Sequence, residues 1–513
     1  MKANPFHPCT SQEGRISMPT GKPSPARRPL SLTRRLLYWL KSAPGILRET
    51  RSARKYSRVL RRRSILLLPS AGTTSYLRQT WQETLSELGE RETILDVNAA
   101  GYATSRSEAL TNDEMSLILA IRRQTGEANR NNLTRTAAYW AFYQQHPEIH
   151  WALLAHMVSR NGGWSMTDLA GDLMAQLLSP EERERIFGFL ERSNALIFHD
   201  AFPQLLLYGE SRRVGKSLFH LLPQLGVSRF MRPVWERFWS TPEPVPLTIC
   251  LIMNEQHYIE GRVVQQPYFR QHVLEKPAFR FQAQLQETQV VFPYLRITRD
   301  GTDSRTPWRL SGLNLERFSD LNERIEVGKT LYGILFGNPI IRDGVHAFAA
   351  AQPHTGSRAD YHPALYTAAA QKASPPAVPP AERLHGYGVR AGARPFYSPR
   401  LTDVWADQLF AAPGGSDWFL EQAQTRPFGP AKAPSAMDIT GEVCLGLYKL
   451  ELAATLKAAI PQTLGGAKPV SPSDGPASPA ACGQQEADPP HSPGYIPGLP
   501  SAAADTEESP HRL

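Results

Sequence analysis

Cysteine is scarce in this chain of 513 residues, which contains four. They are widely separated, and none stands in the C-x-x-C spacing used by many zinc sites. Small secreted domains, by contrast, depend on dense disulfide pairing. The sequence therefore indicates neither a disulfide scaffold nor a cysteine zinc site, and it fits a reducing cytoplasm. The four positions are Cys9, Cys250, Cys444 and Cys482.

Long apolar runs are also missing. The longest, such as Ile65–Leu68 and Leu205–Leu207, fall far short of the roughly 20 residues that a membrane-spanning helix needs. Residues 1–30 are polar and rich in proline, without the apolar core of a signal peptide. We therefore expect no transmembrane segment and a cytoplasmic location.

Complete catalytic motifs do not occur either. Residues Gly209–Ser217 read GESRRVGKS, but a phosphate-binding loop needs glycine where Glu210 stands. There is no G-x-S-x-G elbow, and no nucleophile, base and acid can be assigned as a set. We expect neither a cofactor nor a bound metal, and the sequence leaves open whether the protein is an enzyme.

Positive charge is concentrated at the start of the chain. Residues 1–64 contain sixteen Lys and Arg and two acids, a net charge of +14, whereas the whole chain carries +9. A mildly acidic body therefore follows a basic arm. Residues 31–64 show the pattern of one or two short amphipathic helices, with a break near Pro44 and Gly45. Such an arm predicts an anionic partner, either a membrane surface or a nucleic acid, and a peripheral position at the membrane.

Proline, of which the chain has 44, divides the sequence into segments. Both ends are rich in proline and polar residues, a composition that predicts disorder. A Pro-rich interruption follows the main patterned region, and we expect the aromatic stretch after it to pack back on the body. The predicted organisation is 1–30 disordered, 31–64 basic amphipathic arm, 90–372 helical core domain, 373–383 Pro-rich linker, 384–430 segment packing on the core and 460–513 disordered tail.

Helical patterns dominate the body. Thr111 and Glu114 stand in capping-box spacing, and Ser179 marks a second helix start. Between them, apolar residues over Trp151–Val158 recur at helical intervals. Strand alternation is scarce, and Gln289–Ile297 is the best candidate for it. The sequence therefore predicts a mainly α protein, a multi-helix globular body with room for a minor β hairpin, flanked by disordered ends.

One polar and aromatic segment, Asn129–Asp168, is the centre of the functional prediction. It opens with Asn129, Arg130, Asn131 and Asn132, whose amides donate and accept hydrogen bonds and whose guanidinium pairs with anions. These side chains could bind a polar or anionic ligand. Alternatively, they form a turn and the N-cap of the helix that follows, because Asn is favoured at both kinds of position.

The same segment contains the run HPEIH, which ends at His150. Two histidines around an acid suggest metal binding or acid–base chemistry, with Glu148, His150 and the nearby His156 acting together. The spacing is not that of H-E-x-x-H, and Pro147 interrupts a continuous helix. The alternative interpretation is a helix started by Pro147, with buried and hydrogen-bonded histidines.

Two further polar stretches complete the candidate set. Asn161-Gly162-Gly163 predicts the end of a helix, and Thr167-Asp168 the cap of the next. The loop PHTGSRADY could hold an anion through backbone amides and an arginine, or it could be a turn between helices. The candidate ligand-binding residues are Asn129, Arg130, Asn131, Glu148, His150, Arg160, Trp164, His354 and Arg358.

Five blocks of the sequence together resemble a known family: NRNNLTRTAAYW, HPEIHWALLAHMVSRNGGWSMTDL, NEQHYIEGRVV, PHTGSRADY and YSPRLTDVW. The resemblance is to the uncharacterised Bacillales family called domain of unknown function 2515, and it covers roughly residues 90–425. It implies a bacterial cytoplasmic protein. It carries no known activity, cofactor or catalytic residue, and the basic arm and the C-terminal tail lie outside it.

Three functions remain open. The first is a binding protein whose body recognises a polar ligand near Asn129–Trp164 and whose basic arm adds affinity for an anionic surface. The second is an enzyme of the hydrolase type that uses Glu148, His150 or His156. The third is a structural helical scaffold, which needs no polar pocket at this segment.

Overall fold

The computed structural model describes most of the body of the chain. The predicted disordered ends, 1–30 and 460–513, lie outside the described residues, as does nearly all of the Pro-rich linker 373–383. The described residues are 32–97, 110–276, 279, 289–294, 308–370, 383–408, 410, 414, 417–421 and 429–459.

The described residues are mainly helical, which confirms the predicted fold class. The helices, numbered in chain order, are α1 Leu32–Arg63, α2 Ala71–Val97, α3 Asn112–Ala128, α4 Asn132–Gln145, α5 His150–Asp168, α6 Met174–Leu177, α7 Pro180–Val214, α8 Met231–Ser240, α9 Pro244–Ile259, α10 Pro267–Phe269, α11 Leu321–Phe336, α12 Pro339–Ala351, α13 Leu401–Val404, α14 Trp418–Glu421 and α15 Thr440–Ala459. Short 3₁₀ or π turns cover Phe219–Leu225, Glu260–Val264, Arg270–Leu274 and Arg358–Asp360.

Two small sheets complete the described part of the fold. The predicted strand forms β1, Gln289–Tyr294, which pairs antiparallel with β2, Arg309–Asn314. Gly312 in β2 has φ +147°, and a Cβ there would lie 1.9 Å from the carbonyl oxygen of Val290, so glycine is required for this close pairing. The second sheet is a short parallel pair, β3 Tyr366–Thr367 and β4 Phe396–Tyr397.

Local capping signals place the helix starts as predicted. Thr111 and Glu114 form a capping box at the start of α3, and Ser179 and Glu182 form another at the start of α7. Asn131 caps α4 through a hydrogen bond that its side chain accepts from the backbone N–H of Thr134. Each of these signals works within four residues, which is why the sequence alone reveals it.

Helix α1 differs from its prediction. The expected break near Pro44 is wrong, because α1 runs without interruption from Leu32 to Arg63 with Pro44 inside it. Its buried face packs along α15 and also meets α12. Ala53, Ser57 and Leu60 lie on this face. Within the described ranges, none of the helices combines the length and the apolar composition that a membrane crossing requires.

Helix α5 also differs from its prediction. The expected stop at Asn161-Gly162-Gly163 and the expected cap at Thr167-Asp168 are both wrong, because α5 continues to Asp168. Pro147 does not start the helix either, since it lies in the turn before His150. The two glycines have another role. A Cβ on Gly162 would lie 3.1 Å from the Asn194 amide, so side chains of neighbouring elements approach the helix backbone here.

α5 is the central helix of the body. It packs against α4, α7, α9, α11 and β1, and its Trp151 and Trp164 are fully buried. The later aromatic stretch also contacts this body. Trp405 stacks on Phe187 at 4.1 Å between ring centroids and donates its indole N–H to the carbonyl oxygen of Met166.

Candidate functional site

A hydrogen-bonded chain joins the loop Pro353–Tyr361 to α4 and α5. The Asn132 amide nitrogen donates to the carbonyl oxygen of Ser159 at 2.8 Å, so its Oδ1 is left to accept. His354 Nε2 lies 2.9 Å from Asn132 Oδ1. On the other side of the ring, Nδ1 lies 3.4 Å from Asp360 Oδ2. His354 thus bridges two segments of the chain that are far apart in sequence.

Asp360 is the acceptor at the loop end of this chain. Its two oxygens accept from the hydroxyl of Thr355 at 2.6 Å, from the backbone N–H of Thr355 at 3.0 Å and from Trp164 Nε1 at 3.3 Å. Burial alone would raise the pKa of Asp360, but the bonds and charge from His354 and Thr355 outweigh it and lower the pKa. Burial lowers the pKa of His354, and the Arg160 charge adds to that effect.

Gly163 makes room for this chain. A Cβ at this position would lie 2.3 Å from Asn132 Oδ1 and 2.5 Å from His354 Nε2, directly in the path of their hydrogen bond. The glycine therefore lets two side chains cross the helix surface in contact with its backbone. This is a physical reason for glycine in the interior of α5, where it otherwise weakens a helix.

Two arginines flank the chain. Arg358 donates to Asp168 at 2.7 Å and to the Tyr361 hydroxyl at 2.8 Å, and it keeps a raised pKa because these neighbours outweigh its burial. Arg160 donates Nη2 to the carbonyl oxygen of Gln352 and lies 4.8 Å over the Phe348 ring. Burial lowers the pKa of Arg160 to about 10. The structure therefore brings Arg160, Trp164, His354 and Arg358 together.

The remaining candidates from the Asn-rich start lie elsewhere. Asn129 is buried and accepts from Arg135 at 3.1 Å, beside the buried Arg135–Glu191 ion pair. Asn131 caps α4 and donates to Asp407 at 2.7 Å. Arg130 is exposed on the surface. These three residues do not share a cavity with the His354 chain.

The predicted acid–base residues occupy three separate environments. Glu148 accepts from the Tyr208 hydroxyl at 2.8 Å. His150 Nδ1 lies 2.9 Å from the Tyr332 hydroxyl, and burial lowers the pKa of His150 to about 4. His156 is buried and bonds at 2.9 Å to a backbone carbonyl of α4. The described part of the chain contains no group of three His, Cys, Asp or Glu side chains arranged to hold a metal ion.

Helix α1 presents a basic surface, here called the basic face. Its acid Glu49 is half-buried and lies 3.8 Å from Arg309. Within the described ranges, none of the basic residues on this face forms an ion pair with an acid. Eight exposed side chains make up the basic face: Arg48, Arg51, Arg54, Lys55, Arg58, Arg61, Arg62 and Arg63.

An apolar patch adjoins the basic face where the chain leaves α1. Ile65, Leu66 and Leu68 are 62%, 47% and 61% exposed, and together they are called the apolar tip below. Leu67 points inward and bridges to Ala431 through backbone hydrogen bonds, which fixes the position of its neighbours. Three large aliphatic side chains within four residues form a concentrated exposed patch, unlike a single surface leucine.

Taken together, these features describe a helical protein with a folded body and one basic, partly apolar surface. The chain belongs to the family described as protein of unknown function (DUF2515), which matches residues 127–432. It is similar to uncharacterized protein YppC of Bacillus subtilis (strain 168), with 44% identity over 325 residues, 63% of this chain and 90% of that protein. No solved structure matches. The basic face and the apolar tip precede the matched residues.

Proposed function

We propose that this protein is a binding protein that attaches to the anionic surface of a lipid membrane through α1. The observation that carries the proposal is the union of two features on one surface, the basic face and the apolar tip. The proposal places the protein in the cytoplasm at the inner leaflet, where anionic lipids attract basic segments.

Charge supplies the first part of the affinity. Each Lys or Arg held near an anionic surface contributes about 1 kcal/mol, within a Debye length and at moderate salt. The basic face holds eight such side chains, none of which forms an ion pair with an acid among the described residues. Its helix is held against α15 and α12, so the face is presented as one rigid array.

The apolar tip favours a membrane over a nucleic acid. A bilayer surface accepts basic side chains at the headgroups and aliphatic side chains at the boundary of the acyl chains. A nucleic-acid duplex presents phosphates and base edges, which proteins contact mostly through hydrogen bonds. Exposed aliphatic side chains add little to binding of this kind. Ile65, Leu66 and Leu68 therefore fit the first partner better than the second.

Vesicle co-sedimentation of the full chain tests the proposal. We expect binding to vesicles containing phosphatidylglycerol, little binding to pure phosphatidylcholine, and progressive loss as salt is raised. The triple variant Arg54→Glu, Arg58→Glu, Arg62→Glu should lose most of this binding. A matched control is the triple variant Arg192→Glu, Arg212→Glu, Lys216→Glu, whose exposed side chains lie outside α1 and which changes the net charge equally.

The apolar tip has its own test. The double variant Leu66→Ser, Leu68→Ser should weaken vesicle binding without changing its dependence on salt, whereas Leu119→Ser, at an exposed leucine of α3, should have no effect. Equal binding by the α1 triple variant and its control would overturn the proposal. So would binding to duplex DNA but not to anionic vesicles.

For the candidate residues around α5, we infer a role in holding the loop Pro353–Tyr361 to the body. The support is that the His354 ring and the Asp360 carboxylate are engaged by other groups of this chain. Recognition of a polar ligand by the segment Asn129–Trp164 stays a prediction. The hydrolase alternative has less support, because Glu148, His150 and His156 do not share a site in the described residues.

A further inference from the structure

A cavity of about 230 Å³ lies beside α5. Side chains of α4, α5, α7, α9 and α11 line it. Its wall is mostly apolar. Representative lining residues are Leu154, Val158, Ile186, Ile197, Val327 and Leu331. None of the sequence-predicted candidate residues lines this cavity, which lies inside the part of the chain that matches the family.

The carboxyl group of Glu255 is one of the charged groups that interrupt the apolar wall. Glu255 of α9 accepts from Trp151 Nε1 at 3.2 Å and from the Gln256 amide at 3.2 Å. Among the described residues, no Lys, Arg or His forms an ion pair with it. Burial, with a smaller contribution from the like charge of Asp200 on α7, raises the pKa of Glu255 to about 8.

A phenol faces the same space. Tyr139 of α4 lines the cavity and is buried, yet its hydroxyl has no hydrogen-bond partner. Burial raises the pKa of Tyr139, and the charge of Glu255 adds to this effect. The Trp151 ring, whose N–H donates to Glu255, lies 5.4 Å from the Tyr139 ring, so both groups lie against the same indole. A buried hydroxyl without a partner is costly in an apolar setting, which points to a guest that can bond to it.

The other charged groups of the wall are already balanced. Arg135 pairs with Glu191 at 2.5 Å, and Arg324 pairs with Glu260. Asp168 pairs with Arg358 at 2.7 Å. These pairs leave Glu255, among the described lining residues, as the ionisable group without an ion-pair partner, and its ionised form is negative. The complementary guest is a cation with an apolar body.

We propose that this cavity binds a small hydrophobic amine, whose ammonium group pairs with Glu255 and donates to the Tyr139 hydroxyl. The size fits such a molecule. An apolar cavity of about 150 Å³ holds benzene, so this one, at about 230 Å³, has room for a ring with a short aminoalkyl chain.

Binding shifts a proton in a defined direction. At neutral pH the carboxyl of Glu255 is largely protonated, whereas the amine arrives as the ammonium ion. The ion pair requires the carboxylate, so Glu255 releases its proton to solvent when the ammonium binds. Amine binding should therefore release protons, and it should tighten as the pH rises towards 8.

Phenethylamine and 2-phenylethanol form a matched pair of probes, because they differ in the ammonium and hydroxyl groups and share their apolar part. Calorimetric titration of the full chain at neutral pH should give saturable binding of phenethylamine. Its dissociation constant should be lower than that of the alcohol by a factor of about ten or more. Repeating it in buffers of different ionisation enthalpy should reveal the released proton.

Two variants separate the charge from the cavity. Glu255→Gln keeps the shape and should remove the preference for the amine and the proton release, while weak binding of the alcohol remains. Ala155→Leu fills part of the cavity and should reduce binding of both probes. A native circular dichroism spectrum and an unchanged unfolding midpoint are the controls that each variant is correctly folded. If the wild type binds the alcohol as tightly as the amine, or if neither probe binds saturably, the proposal is overturned.

Discussion

Gly163 shows how much a single missing side chain decides. In most helix interiors, replacing glycine by alanine stabilises the protein by about 0.5–1 kcal/mol. At Gly163 the added Cβ would lie 2.3 Å from Asn132 Oδ1 and 2.5 Å from His354 Nε2. We expect Gly163→Ala to lower the free energy of unfolding by about 1–3 kcal/mol, because a buried hydrogen bond must break. Urea denaturation measures the change.

Gly188 is the matched control for this change. It lies inside α7, and no atom would meet a Cβ there within 4 Å. Gly188→Ala should therefore stabilise the protein slightly, by up to about 1 kcal/mol. If Gly163→Ala has the same stabilising effect as Gly188→Ala, the crossing of Asn132 and His354 over α5 does not hold in solution.

His150 gives the protein a dependence on pH with a definite sign. Its pKa is lowered to about 4 by burial, whereas the unfolded chain has the ordinary value of about 6.5. Between these values the unfolded state binds a proton that the folded state does not. The free energy of unfolding should therefore fall as the pH drops from about 6.5 towards 4, by on the order of 3 kcal/mol from this residue.

The measurement is urea denaturation across this pH range for the wild type and for His150→Gln. Glutamine keeps a hydrogen-bond partner for the Tyr332 hydroxyl and does not titrate. The variant should show a shallower loss of stability below pH 6.5 than the wild type. Parallel curves for the two proteins would mean that His150 is protonated in the folded state.

At the scale of elements, α1 allows the clearest prediction, because one side of this helix is basic and exposed while the other side is buried against the body. Leu60 is fully buried while its neighbour Val59 is 38% exposed. Leu60→Ala should lower the free energy of unfolding by about 2–4 kcal/mol, since it leaves a cavity between packed helices. Val59→Ala should change it by less than about 0.5 kcal/mol. Equally small effects of Leu60→Ala and Val59→Ala on the free energy of unfolding would mean that α1 does not pack stably on the body.

The elements that the sequence predicts best are those with local causes. Thr111 and Ser179 each start a helix through a bond to a residue three positions away, so the signal is contained in a few letters. The sequence predicts a helix stop at Gly162 and Gly163. That prediction is wrong because the residues that require glycine at these positions are distant in sequence. Asn194, Asn132 and His354 approach them from other segments. No local pattern distinguishes a glycine that ends a helix from one that lets a neighbour come close.

The sites follow the same division. For Asn131 the sequence predicts either a helix cap or a ligand-binding residue, and in the structure it is a cap. Its partner Thr134 is three positions away, so the cap could be predicted from the sequence. Glu255 and Tyr139 carried no signal, since five helices must pack before they face one cavity. The block NEQHYIEGRVV contains Glu255, yet only the fold shows that this acid forms no ion pair with a Lys, Arg or His among the described residues.

At the scale of the whole molecule, residues near the end of the described chain connect several elements of the body. Asp438 is buried before α15 and accepts from Arg309 of β2 at 2.6 Å and 2.9 Å. It also accepts from the Tyr294 hydroxyl of β1, and its backbone N–H donates to Ser57 of α1 at 2.9 Å. One residue therefore ties the sheet, the basic helix and the C-terminal helix together.

Removing Asp438 should therefore affect the entire fold. Asp438→Ala leaves the buried Arg309 guanidinium with the more distant Glu49 carboxylate, 3.8 Å away, as its remaining ion-pair partner. We expect a loss of about 3–5 kcal/mol in the free energy of unfolding. The exposed pair Arg342–Asp343 is the control, and Asp343→Ala should cost less than about 1 kcal/mol. The double variant Arg309→Met, Asp438→Leu should be more stable than Asp438→Ala alone, because no buried charge remains unpaired. A loss for Asp438→Ala as small as that for Asp343→Ala would show that this junction does not hold the sheet to α1 and α15.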